Sequence, residues 1–106
     1  MADEIYTSHP KGRLDSAACP AFETEIVGCL NAGSQRLLFD FSELDYISSA
    51  GLRVVLMAAK RLKESGGKMA LCSLNEMIKE VFEVSGFDRI LDIEPNADSA
   101  RARLAS

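Results

Sequence analysis

One histidine, three scattered cysteines and no long apolar run remove most chemistries before any motif is read. His9 stands alone in a short N-terminal segment, and no serine-histidine-acid set for acyl transfer is apparent around it. Zinc would want more ligands than one imidazole and dispersed thiols supply. Cys19, Cys29 and Cys72 form no C-x-x-C pair, and Cys29 and Cys72 fall inside apolar patterns, which predicts buried thiols in a reducing compartment. Gly66-Gly67 lacks the lysine-serine context of a phosphate-binding loop. No charged start leads into an apolar signal core, and no apolar run approaches the about 20 residues that span a bilayer. The expectation is therefore a cytoplasmic protein without membrane insertion.

Basic charge is also in short supply. Twelve Lys and Arg against sixteen Asp and Glu leave a formal charge of -4, which offers a nucleic-acid backbone no general attraction. The acidic surplus reads as solubility, with a basic partner surface as the sharper alternative. Asp40 and Asp45 are too weak a set for a magnesium site and read better as loop structure. No cofactor or metal is called for.

What is present is a single-domain length of 106 residues, 47% hydrophobic and 26% charged, in which short apolar runs alternate with helical patterns. A strand is predicted around 4–9, ending before Pro10, with Gly12 permitting a turn. A helix over 17–30 places Phe22, Ile26, Cys29 and Leu30 at helical spacing, with Asp15 or Ser16 as its cap and Asn31 and Gly33 at its end. Residues 36–41 form a buried strand, followed by a loop holding Ser42, Glu43 and Asp45. Ser48 or Ser49 starts a second helix to about 64, with Leu52, Val55, Leu56, Ala59 and Leu62 as its inward stripe and 65–67 as its stop. Residues 69–72 read as the next strand, and 75–84 as a helix burying Met77, Ile78, Val81 and Phe82. Residues 89–93 read as a final strand, and the tail 95–106 as frayed. The class is α/β, a mostly parallel sheet covered by helices and joined by right-handed crossovers.

The most informative stretch is 44–53, where an apolar run ends in two adjacent hydroxyls at a helix start. A serine there is commonly a cap. A phosphate there would meet unpaired N–H groups and the positive end of the helix dipole, altering a surface without unfolding the domain. Gly51 permits either a close approach or ordinary turn geometry, and Asp40, at a strand end, can cap nearby N–H groups.

The order of several short features resembles the STAS domain, and within it the bacterial anti-sigma factor antagonists. Gly12-Arg13-Leu14-Asp15 is similar to the family's G-x-L-D turn, Phe39-Asp40-Phe41-Ser42 to its D-x-S strand end, and 47–52 to its serine-containing loop. Gly66-Gly67 with the following strand, and Val84-Ser85-Gly86-Phe87, extend the likeness to about Ile93. The resemblance implies a non-enzymatic regulator that binds an anti-sigma factor serine kinase, is phosphorylated by it, and is restored by a phosphoserine phosphatase. The family's spacing puts the phosphorylated serine on Ser49, two places before Gly51, with Ser48 as the alternative acceptor; many members carry Asp where this chain has Ser48. The partner surface implied comprises Asp40, Asp45, Ser48, Ser49, Gly51, Leu52 and Arg53.

Only eleven residues precede Gly12, which implies that the family's usual first strand is missing and that an exposed edge can pair with a partner or form a homodimer. Two further readings stay open: a STAS scaffold in a larger signalling or membrane-associated assembly, and a ligand sensor with a pocket beside the serine loop.

Overall fold

The computed structural model describes residues 4–105. In chain order the elements are β1 (Tyr6–Ser8), β2 (Gly12–Leu14), α1 (Cys19–Asn31), β3 (Arg36–Asp40), β4 (Leu44–Ile47), α2 (Ser49–Ser65), β5 (Lys68–Cys72), α3 (Glu76–Ser85), β6 (Asp92–Glu94) and α4 (Ala97–Ala105). A single 3-10 turn, Phe87–Arg89, joins α3 to β6.

Every strand pairing among the described residues is parallel. Four strands lie in the order β1-β3-β5-β6, and β2 and β4 form a separate two-stranded sheet. Parallel pairing follows from the helices between strands, since each crossover returns the chain to the same end of the sheet. β1 lies at one edge of its sheet, with β3 its one strand neighbour among the described residues.

β3 and β5 are apolar on both faces, which is why they read as continuous hydrophobic runs. Leu37, Phe39 and Leu71 join the main core with Phe22 and Ile26 of α1, Val55 of α2, and Ile78 and Phe82 of α3. The alternate residues, Leu38, Ala70 and Cys72, face a smaller cluster closed by Ala100 and Leu104 of α4. Each fully buried large side chain contributes roughly 1.5–3 kcal/mol. All three cysteines are free and buried, and burial pushes the Cys29 and Cys72 thiols above their ordinary pKa.

The sequence expectations need correction in six places. The segment around Asp45 is not a loop: β4 pairs with β2, putting Leu14 opposite Ile47, and the buried ends of the strand, Leu44 and Ile47, hold it there. Gly12 makes no separate turn; it opens β2 at φ +72, where the ladder register shifts. The buried stripe of α2 is Gly51, Val54, Val55, Ala58 and Leu62, with Leu52, Leu56 and Ala59 half-buried at its margin, because α1 as well as the sheet packs against it. On α3, Ile78 and Phe82 are buried but Met77 is 59% exposed, one position off the inward line.

The last strand begins later than expected, because Gly86 at φ +78 turns the chain into the 3-10 turn and pairing starts only at Asp92. The segment expected to fray forms α4 instead. Ala100 and Leu104 bury it, Asn96 accepts the Ser99 N–H at 2.8 Å, and Arg103 reaches Asp92 at 2.9 Å. Ser106 lies outside the described residues.

Candidate functional site

Strands β2 and β4 run side by side and deliver the chain to the start of α2. The Ser48 N–H donates to the Leu14 carbonyl at 2.9 Å, so the ladder continues one residue beyond β4. Ser48 then takes an extended conformation, φ -86 and ψ 171, and its side-chain oxygen accepts the Gly51 N–H at 3.3 Å. Its carbonyl accepts the Leu52 N–H at 2.9 Å. Ser48 is thus the N-cap, half-buried, with Cys19 Sγ at 3.7 Å from its hydroxyl.

Ser49 is the first helical residue and is exposed, and its hydroxyl has no hydrogen-bond partner among the described residues. The first N–H groups of a helix have no intrahelical acceptors. The Ser48 oxygen takes the one from Gly51, leaving the mouth of α2 with surplus donors beside Ser49.

Gly51 is buried. A Cβ there would lie 2.9 Å from Ile47 Cγ1 and 3.2 Å from Leu14 Cβ, so the missing side chain lets α2 settle onto β2 and β4. The close approach that Gly51 permits is thus made inside the fold, against Ile47 and Leu14. Leu52 is half-buried against the core, and Arg53 is exposed.

Asp45 is exposed on β4, beside the half-buried Tyr46, whose ring carries the Arg13 guanidinium 4.3 Å from its centroid. Asn75 Nδ2 donates to the carbonyls of Leu44 at 3.1 Å and Asp45 at 3.4 Å, while its side-chain oxygen accepts the Ile78 N–H at 2.8 Å to cap α3. The start of α3 is thereby fastened to the strand that leads to the serines. Arg13, Tyr46 and Asn75 escape the sequence reading. Leu44-Asp45-Tyr46-Ile47 is short and buried at both ends rather than at alternate positions, so period-two patterning does not reveal the strand or its half-exposed ring.

Asp40 is engaged elsewhere. It ends β3, and its carboxylate accepts the Ser42 N–H at 3.0 Å, holding the turn into β4. Burial opposes its ionisation, but the backbone and hydroxyl of Ser42, with His9 and Arg101 nearby, outweigh this and hold its pKa below the ordinary value. Ser42 Oγ is 3.2 Å from His9 Nε2, and Glu43 lies 3.4 Å from Lys11. The structure therefore unites Ser48, Ser49, Gly51, Leu52 and Arg53 at one helix start, with Asp45 on the strand leading there, and gives Asp40 a turn-forming role. Among the described residues, no group of three or more His, Cys, Asp or Glu side chains could hold a metal ion, and no helix is long and apolar enough to cross a membrane.

Comparison with known proteins places the fold. The STAS domain model matches residues 2–100. BtrV of Bordetella bronchiseptica, designated an anti-sigma factor antagonist, is 44% identical over 96 residues, covering 91% of this chain and 80% of BtrV. The structure of a protein from Thermotoga maritima with the same designation superposes with a TM-score of 0.92 at 25% identity, covering 96% of this chain and 88% of that one. SpoIIAA of Bacillus, solved in its phosphorylated form, has a TM-score of 0.76 at 20% identity over 95% of this chain and 91% of its own. The likeness to SpoIIAA is one of fold.

Proposed function

The chain belongs to the STAS domain family, alongside the anti-sigma factor antagonists, and from that premise we propose that it is such an antagonist, switched by phosphorylation of Ser49. In its unmodified form it binds an anti-sigma factor serine kinase, which frees a sigma factor. The kinase phosphorylates Ser49 and ends the complex, and a phosphoserine phosphatase restores binding. The phosphorylated form of SpoIIAA lends support to the modification as a class of event.

The observation that carries the choice of serine is the division of labour at α2. The Ser48 oxygen is committed to the Gly51 N–H, while the Ser49 hydroxyl stands exposed and without a partner among the described residues. A phosphate on Ser49 adds about -1.5 to -2 charges beside the N-terminus of α2, where helix dipole and spare N–H groups accept it. The fold is retained, and the cost falls on a partner matched to a neutral hydroxyl. Asp45, Leu52 and Arg53 flank that contact, and Gly51 supports it from beneath by setting the helix close to β2 and β4.

The test begins with co-purification from the native cell, which identifies the kinase, and intact-mass measurement, which reports the modification. Incubated with that kinase, wild type and Ser48→Ala should gain one phosphate and Ser49→Ala should not. Calorimetry should show that phosphorylation abolishes tight binding, with circular dichroism unchanged. Full labelling of Ser49→Ala overturns the site, and unchanged affinity overturns the switch. The edge of β1 is a further place for a second copy to add a strand. Sedimentation over a wide concentration range decides this, and a constant monomer mass removes the homodimer.

A further inference from the structure

At the other end of α2, about 20 Å from Ser49 by helix rise, a groove of about 700 Å³ opens between the helix, the start of β5 and the 3-10 turn. Leu56, Met69, Phe87 and Leu91 line it, and Ile90, 71% exposed, forms part of the wall. Lys60, Lys63 and Lys68 stand around these apolar groups, and all three are exposed.

That clustering is not a consequence of overall charge. The chain is acidic, and its five lysines are Lys11, Lys60, Lys63, Lys68 and Lys79, so most of them gather at one groove. A lysine in the last turn of a helix is ordinary, since it faces the negative end of the dipole, and this accounts for Lys63. It does not account for Lys60, a turn earlier, or for Lys68, on β5. The one carboxylate in the lining, Asp92, is paired with Arg103 at 2.9 Å, which offsets its charge toward an incoming anion.

We infer that this groove is a second binding site, for a small anionic amphiphile whose aliphatic chain lies along Leu56, Phe87 and Ile90 and whose carboxylate sits among Lys60, Lys63 and Lys68. The volume lies within the range of small-molecule sites, about 300–1,000 Å³. A docked protein would need roughly 20–30 residues on this side, and thirteen line the groove. The site is independent of the serine switch and survives its failure.

The experiment titrates the isotopically labelled full chain with dodecanoate below its micelle concentration, following amide shifts by NMR. Saturable shifts confined to 56–69 and 87–92 are expected, with dodecylammonium, the same chain under a cationic head, about tenfold weaker or worse. Combined Lys60→Gln, Lys63→Gln and Lys68→Gln should weaken dodecanoate by about tenfold with unaltered circular dichroism. Ile90→Ser, at an exposed position that carries no core packing, should weaken it as well. Equal binding of the two amphiphiles, shifts spread over the surface, or no saturable binding overturns the inference. So does an acidic amphipathic peptide that occupies the groove when dodecanoate does not, since that result assigns the groove to a protein partner.

Discussion

At the residue scale, one step along the chain separates a structural serine from an available one. Ser48→Ala removes the oxygen that accepts the Gly51 N–H, and loss of such a cap costs about 1 kcal/mol. Ser49→Ala removes an exposed hydroxyl without a partner among the described residues and should stay within about 0.5 kcal/mol of wild type. Urea unfolding of the two variants checks the ordering, and a larger loss in Ser49→Ala would show that the roles have been reversed. Gly51→Ala should cost about 1–3 kcal/mol, because the new methyl at 2.9 Å from Ile47 Cγ1 forces the first turn of α2 outward. Affinity for the proposed kinase partner should fall with it, since Ser49 rides on that turn. The serine pair and the spacing to Gly51 are legible in the sequence, as is the burial of Cys29 and Cys72. The reason for Gly51 is not, because it depends on Leu14, which lies on another strand and meets the glycine only once β2 and β4 have paired.

At the scale of elements, β1 is fastened to α1 by a carboxylate shared between two hydroxyls. Glu25 accepts from Tyr6 at 2.8 Å and from the fully buried Ser8 at 3.1 Å. The hydrogen bond to Glu25, then burial, raises the Tyr6 pKa to about 12. The unfolded phenol titrates near pH 10. The folded state therefore favours the protonated ring, and the stabilisation is complete below pH 10 and lost as pH rises through about 12. Tyr6→Phe should remove this part of the pH dependence, so the stability gap between wild type and variant narrows from pH 9.5 toward pH 12 in denaturant titrations. A gap constant across that window would refute the linkage. Long elements with regular apolar spacing, such as α2 and β3, are legible from the sequence. The short pieces are harder: β4 has four residues and β6 three, and each is stabilised by a neighbour rather than by its own pattern. Residues 89 and 90 carry apolar and charged groups suited to a strand, yet the left-handed Gly86 commits them to a turn.

At the scale of the whole molecule, α4 closes the second face of the sheet. Its sequence shows only two apolar anchors, Ala100 and Leu104, so its fate depends on Leu38, Ala70 and Cys72 beneath it, which a local reading does not bring together. Leu104→Ala should destabilise the protein by about 2–5 kcal/mol in urea unfolding and expose Cys72 to thiol reagents. A loss below about 1 kcal/mol would show that α4 is dispensable to the core. The all-parallel pairing has a kinetic consequence of its own. Without a hairpin among the described pairings, no strand can find its neighbour locally: Tyr6 must wait for Leu37, Leu14 for Ile47, and Leu37 for Met69. Loop closure over such separations precedes any ladder, so folding should run on the slow side for a chain of this size, in milliseconds or longer. Helix α1 can form early and β1 can meet β3 once Phe39 has emerged, but a chain leaving the ribosome must extend beyond Ile47 before both sheets have a ladder, and until α2 and α4 follow, Phe39 and Leu38 lack the helices that cover them.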